Sequence, residues 1–175
     1  TNELVMVGML SDKGEEAIVT FNHTEVEPYP DGHTVVQDWL NKTTILILHN
    51  AAHDLLWLWE SGFTYDGPVF DTMLGEYVLQ RGLKEPLSLE ACAERYDLDT
   101  KKQDTMKEYF SKGHSVASIP WDELSEYLSA DLHATQQLSD VIYRKLNTVE
   151  YGGLMETVVL TNSVAVTLAH IYRTG

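Results

Sequence analysis

Residues 43–62, TTILILHNAAHDLLWLWESG, join a short apolar run to a segment rich in leucine and tryptophan. The run TTILIL is short and β-branched, which is typical of a strand buried on both faces. The segment after it has apolar residues at helical spacing and ends at Gly62, a suitable residue just past a helix. A buried strand that leads into a helix predicts an α/β domain.

Asp54 occupies the first turn of that predicted helix. An acid in this position can simply interact favourably with the helix dipole. However, ligands of open α/β sheets collect at the carboxyl ends of strands, and His49, Asn50 and Asp54 all follow such an end. The sequence therefore leaves two roles open for Asp54, one structural and one in a site.

The remaining pattern indicates one mixed domain. Residues 3–10 and 16–21 are predicted to form an antiparallel hairpin. Further helices are expected after Thr34 and after Asp71, each acting as a cap, and near residues 88–98. Residues 104–120 are expected to be mostly loop, and a last helix follows the two glycines at 152 and 153.

A long helix is predicted from Pro120 to about residue 146, with an apolar stripe that includes Leu124, Leu138 and Ile142. Tyr127 and Asp131 fall on the same stripe, four residues apart. Burying an unpaired carboxylate costs several kcal/mol, by the usual estimate of about that order. Since no Lys or Arg lies within one turn of Asp131, the sequence indicates a metal ion as its partner.

Composition limits the function classes. The chain has 175 residues, 43% of them hydrophobic, which fits one globular domain. Its formal net charge of −15 disfavours tracking along a DNA duplex. Clustered carboxylates instead suit divalent cations. The sequence predicts no signal peptide, no membrane partner, and a reducing, cytoplasmic location in view of its one cysteine, Cys92.

Three segments together resemble one known family. NAAHD (50–54), VFDTMLGEYVL (69–79) and YLSAD (127–131) are similar, in order and in context, to the 3′–5′ proofreading exonuclease domain of family A DNA polymerases. The stretch around residues 88–128 resembles phage-type members. The resemblance implies a ribonuclease H-like fold of the DEDDy exonuclease group, a mixed sheet flanked by helices. It also implies an exonuclease-like domain over residues 1–146 and a helical connector over 147–175 that leads toward a polymerase domain.

The resemblance further implies the role of each site residue. Asp131 would hold the metal that activates the attacking water, and Tyr127 would orient that water. Asp54 would help to hold a second metal, and Asn50 would lie near the 3′ end of the substrate. The expected cofactors are two Mg²⁺ or Mn²⁺ ions. The expected partners are a single-stranded DNA 3′ end and the polymerase domain of the same polypeptide, in a bacterial or phage-infected host cytoplasm.

One family motif, D-x-E on a first strand, has no counterpart in these 175 residues. That strand would lie beside TTILIL, so we expect the chain to be a segment of a longer protein, inactive alone, with an exposed sheet edge. Two alternatives remain open. The domain could be a non-catalytic, DNA-guiding part of a polymerase, or a ribonuclease of the ribonuclease D type.

Several other polar residues are expected to have structural roles. His49 and His53 are expected in packing or hydrogen bonding rather than as metal ligands, and Asp71 is expected to be a helix cap. A group of lysines in the 101–112 segment is interpreted as solvated surface, with phosphate steering as the alternative. Its members are Lys101, Lys102, Lys107 and Lys112.

Overall fold

The computed structural model describes residues 3–98 and 104–174, so Lys101 and Lys102 lie outside the described residues. In chain order the elements are β1 (Met6–Leu10), β2 (Glu16–Thr20), α1 (Gly32–Lys42), β3 (Leu46–Leu48), α2 (Ala51–Glu60), β4 (Val69–Asp71), α3 (Thr72–Leu79), α4 (Leu89–Arg95), α5 (Asp104–Ser111), α6 (Trp121–Leu146) and α7 (Met155–Thr174).

The strands form two small sheets. β1 and β2 pair antiparallel with Gly8 opposite Ile18, which confirms the predicted hairpin. β3 and β4 pair parallel, with Leu48 opposite Asp71, and α2 makes the crossover between them. In the described part of the chain each sheet has two strands, and no hydrogen bonds join one sheet to the other. The predicted mixed α/β class is confirmed.

The prediction that β3 is buried on both faces is wrong. Ile47 within the strand is 41% exposed and Ile45 just before it is 54% exposed. The reason is that side chains alternate between the two faces of a strand. Leu46 and Leu48 pack against buried clusters, whereas Ile45 and Ile47 point to the opposite face. An apolar run marks a strand, but its burial depends on neighbours that the run itself does not encode.

The helices cover the sheets and form most of the core. α6 packs against both β1 and β3. As the stripe predicted, Leu124, Leu138 and Ile142 of α6 are buried. The latter two pack with Val158 of α7 and Val78 of α3.

Two predicted boundaries are wrong. The segment expected to be mostly loop contains α5, because Met106 packs with buried Ile119 and Leu124 and so gives a short helix an apolar face. α1 begins at Gly32 rather than after Thr34, with Asp31 as its N-cap in the left-handed region. A Cβ on Gly32 would lie 2.9 Å from Val19, so close packing against the hairpin fixes this helix start.

α7 is apolar on more than one face. Val158, Asn162 and Ala169 are buried against the domain, whereas Leu160, Val164 and Ile171 are at least half exposed. By length and composition alone, the helix Gly152–Thr174 is long and apolar enough to cross a membrane, although the sequence analysis predicted no membrane partner. Core helices of soluble proteins pass the same test.

Gly8 sets the distance between β1 and α6. A Cβ built on Gly8 would lie 2.8 Å from Cδ2 of Leu128 and 2.9 Å from Leu132. We therefore expect Gly8→Ala to lower the free energy of unfolding by about 1–3 kcal/mol through overpacking, measured by urea denaturation.

Gly153→Ala is the matched control, because a Cβ there meets no atom within 4 Å. Equal effects of the two substitutions would contradict the close packing of α6 on β1.

Candidate active site

Asp71 is the buried centre of the strand-end region. It ends β4, is 2% exposed, and uses both carboxylate oxygens. Oδ1 accepts hydrogen bonds from the backbone N–H groups of Asn50 at 3.0 Å and Met73 at 2.9 Å, and Oδ2 accepts one from Ala51 at 2.9 Å. The predicted cap of α3 is confirmed. The same carboxylate also binds the N-terminus of α2, which sequence reasoning missed.

Asn162 of α7 completes this arrangement. Its Oδ1 accepts the Asp71 backbone N–H at 2.6 Å, and its Nδ2 donates to the Val158 carbonyl at 2.8 Å. Asn162 is 5% exposed, so its amide is committed to these partners. An asparagine between two apolar runs of α7 was the available signal, but nothing local indicates a partner 91 residues away.

Asn50 presents an exposed side chain just past β3. It is the N-cap of α2 and lies in the left-handed region with φ 69°, which asparagine adopts more readily than most residues. Its side chain makes no capping hydrogen bond, because Asp71 already binds the backbone N–H groups there. The Asn50 amide therefore remains available at the strand end.

Asp54 lies in the first turn of α2 and is partly buried. Burial raises the pKa of Asp54 to about 6, the nearby His53 opposes the shift, and the charge of Asp71 adds to it. No ion pair joins Asp54 to a lysine or arginine in residues 3–98 and 104–174. The carboxylate is thus held in a place that disfavours its charge.

Tyr127 and Asp131 form a hydrogen-bonded pair on α6. Burial raises the pKa of Asp131 to about 6, while the hydrogen bond from Tyr127 opposes the shift. Burial, followed by the charge and hydrogen bond of Asp131 and the charge of Glu90, raises the pKa of the Tyr127 hydroxyl. The phenol therefore stays protonated near neutral pH and can donate a hydrogen bond.

The four predicted site residues lie on two elements. Asn50 and Asp54 lie at the start of α2, and Tyr127 contacts Asp131 on α6. Across the described residues, no three His, Cys, Asp or Glu side chains form a group that could hold a metal ion. The assignment of Asp54 and Asp131 as metal ligands stays a prediction.

His49 has a structural role, as expected. Its Nε2 lies 2.9 Å from the Leu87 carbonyl and its Nδ1 lies 2.9 Å from Oγ1 of Thr72. A carbonyl can only accept, so Nε2 carries the proton. Burial lowers the pKa of His49, which favours this neutral ring. His49 thereby ties the segment before α4 to the strand ends.

Removal of the Asp71 carboxylate should destabilise the fold. In Asp71→Ala, three backbone N–H groups lose their acceptor at two helix starts, so we expect the free energy of unfolding to fall by about 3 kcal/mol. Asp38→Asn, at an exposed acid of α1, is the control and should change stability little in the same denaturation experiment. A similar small effect at Asp71 would contradict its capping role.

Neutralising Asp54 should stabilise the metal-free chain in a pH-dependent way. The pKa of Asp54 is about 6 when folded against 3.8 ordinarily, so the folded state binds more protons between these values and loses stability as pH rises through them. In EDTA at pH 8 we expect Asp54→Asn to raise the free energy of unfolding by about 2–3 kcal/mol. At pH 4 the increase should be less than about 1 kcal/mol.

Asp122→Asn is the matched control for this measurement, because Asp122 is an exposed first-turn acid of α6. It should give no such gain. A gain at Asp54 that is equal at both pH values would show that desolvation of its charge is not the cause.

Comparison with known proteins identifies the family of this chain. Residues 6–147 match the family model of the 3′–5′ exonuclease domain of A-type DNA polymerases. DNA polymerase I of Synechocystis is 30% identical over 110 residues, which is 63% of this chain and 11% of that relative. The chain thus spans about a tenth of the relative's length, and no solved structure matches it. The chain belongs to the 3′–5′ exonuclease domain family of family A DNA polymerases.

Proposed function

We propose that this domain removes nucleotides from the 3′ end of single-stranded DNA as the proofreading part of a DNA polymerase. The observation that carries the proposal is the hydrogen-bonded Tyr127–Asp131 pair on α6, in a chain that matches the exonuclease family over residues 6–147. The reaction hydrolyses the 3′-terminal phosphodiester. Water adds to phosphorus, the 3′ oxygen leaves, and a nucleotide and a strand with a new 3′ hydroxyl result.

The two site acids suit divalent metal ions. Asp54 and Asp131 are partly buried, have raised pKa values, and form no ion pair with a described lysine or arginine. Such carboxylates, together with water, are the ligands that Mg²⁺ prefers. When bound, a pair of such ions activates water and stabilises the leaving oxygen of a phosphodiester. Asp54 and Asp131 are the residues that would hold them.

The chain's own side chains would orient the reactants. Tyr127 keeps its proton and donates a hydrogen bond toward Asp131, so its hydroxyl is positioned to fix a water molecule next to that carboxylate. The exposed Asn50 amide, at a strand end, is placed to contact the terminal nucleotide. Loss of either residue should therefore slow the reaction more than it changes the fold.

The unpaired edges of β1 and β3 favour a further strand. β1 and β3 each lack a second strand neighbour among the described residues, and α6 packs across both. We propose that an additional strand of the complete protein pairs between them and makes one ribonuclease H-like sheet. Such a strand would run under Asp131 of α6, and the D-x-E motif of the family would supply the remaining metal carboxylates there.

The charge of −15 favours a short substrate segment. A surface this acidic repels an extended phosphate backbone, whereas a frayed end of a few nucleotides presents few phosphates. We propose that a polymerase domain of the same polypeptide holds the duplex, and that residues 147–175 lead toward it. Mismatched ends fray more readily and would reach the site more often.

One observation favours a second candidate, a non-catalytic domain that guides DNA within a polymerase. In the part of the chain that the structure describes, no three potential ligands gather into a metal group. If no further carboxylates join Asp54 and Asp131, the fold could still support a polymerase without hydrolysing DNA.

The activity test uses the complete protein with a 5′-labelled single-stranded oligonucleotide and Mg²⁺ or Mn²⁺. We expect stepwise shortening from the 3′ end, and we expect Asp131→Ala to reduce the rate by at least about 1,000-fold, the range typical of losing an essential metal or electrostatic group. Tyr127→Phe should give a smaller loss with the same product pattern.

Asp140→Ala is the matched control, because Asp140 is an exposed acid farther along α6. It should leave the rate unchanged. Full activity of Asp131→Ala would refute the site assignment, and inactivity of the wild-type protein would support the guiding domain. Rapid digestion by the 175 residues alone would refute the need for a further strand.

A further inference from the structure

Lys107 lies in an ion pair beside the proposed site. It is carried by α5, its side chain is 63% exposed, and its Nζ lies 3.3 Å from Oε2 of Glu90 on α4. The Glu90 side chain is only 25% exposed, so the ammonium is the more solvent-exposed partner of the pair. An exposed pair of this kind contributes only about 0–1 kcal/mol and exchanges readily.

Both α4 and α5 lie near Tyr127. Met106, the residue before Lys107, is 4% exposed and belongs to a cluster with Ile119 and Leu124, against which Tyr127 packs. Glu90 lies within charge range of the Tyr127 hydroxyl. Glu90 therefore connects Lys107 to the neighbourhood of Tyr127.

The acidity of this region makes a cation there useful. Asp131, Glu90 and the overall charge of −15 all repel a phosphodiester strand. In the described residues, neither Asp54 nor Asp131 is ion-paired with a lysine or arginine, so neither draws such a cation to the site. A strand whose 3′-terminal phosphodiester lies at Asp131 must pass its next phosphates across the neighbouring surface.

We propose that Lys107 is a substrate-binding residue that leaves Glu90 to bind a backbone phosphate of the nucleic-acid strand whose 3′ end lies at Tyr127 and Asp131. This inference rests on the proposed function, because it takes a nucleic-acid strand as the substrate of that pair. In the free protein the ammonium forms an ion pair with Glu90, which therefore competes with the phosphate for it. Lysine suits this role because its ammonium is a compact charge on a flexible stem.

The competition predicts opposite effects for the two partners of the ion pair. Lys107→Gln removes the phosphate contact and should raise the KM for a single-stranded hexanucleotide about 5- to 20-fold with kcat little changed. Glu90→Gln frees the ammonium and should leave the KM equal or lower. If the pair served only to clamp α5 onto α4, both substitutions would impair the protein in the same way.

Phosphate replacement tests the contact directly. Hexanucleotides that carry one neutral methylphosphonate at successive positions are compared on the complete wild-type protein and on Lys107→Gln, by hydrolysis with Mg²⁺ and by fluorescence anisotropy in EDTA. We expect one position at which the replacement weakens wild-type binding about as much as Lys107→Gln does, and has no further effect on that variant. Lys107→Arg should restore most of the affinity.

Lys112→Gln is the matched control, since Lys112 is an exposed lysine of the same region paired with Glu108. It should behave as wild type at every position. Equal sensitivity of wild type and Lys107→Gln to all replacements would overturn the inference, even with normal hydrolysis. A Lys107-dependent position in the anisotropy data without hydrolysis would instead support the contact and refute the proposed nuclease function.

Discussion

The carboxylate of Asp71 holds the strand-end region together. Its two oxygens receive the first N–H groups of α2 and α3, so one buried acid sets where both helices leave the β3–β4 sheet. A buried carboxylate is tolerated only when hydrogen bonds replace its hydration, and here backbone donors at two positive helix ends do so. Asn50 and Asp54 owe their positions to this arrangement, since both lie within the first turn of α2 or directly before it.

The contrast between Asp71 and the two proposed metal ligands is informative. Asp71 is fully buried and has three donors, whereas Asp54 and Asp131 are partly buried and have pKa values raised by burial. A fold optimised for stability alone would not keep such acids. Their presence is expected where a protein maintains a locally unfavourable arrangement in order to bind something.

Local patterns were sufficient for the parts of the fold that depend on local periodicity. The hairpin, the strand–helix crossover and the buried stripe of α6 follow from alternation, from β-branched runs and from helical spacing. The Tyr127–Asp131 contact could also be predicted, because residues four apart on a helix are neighbours. The proposed functional role of that contact came from the family resemblance and not from the spacing.

Other features depend on contacts that are distant in sequence. Whether a face of β3 is covered depends on distant elements, so the exposure of Ile47 could not be predicted from the apolar run. α5 forms because Met106 packs with Ile119 and Leu124. The hydrogen bonds between Asp71 and the start of α2 could not be predicted, because they depend on the parallel pairing of β3 with β4. Asn162 could not be found from sequence, since its partner lies 91 residues earlier in the chain.

The bond between Asn162 and β4 has a consequence for mutational screening. Under the proposed function, a screen that scores only nuclease activity would rank Asn162 and Asp71 beside Asp131, because loss of any of the three would abolish the activity. Protein abundance would separate them, since variants of Asn162 and Asp71 would disappear from the soluble fraction and variants of Asp131 would accumulate. Asn162, 31 positions beyond Asp131 and on another helix, would otherwise be mistaken for part of the proposed site.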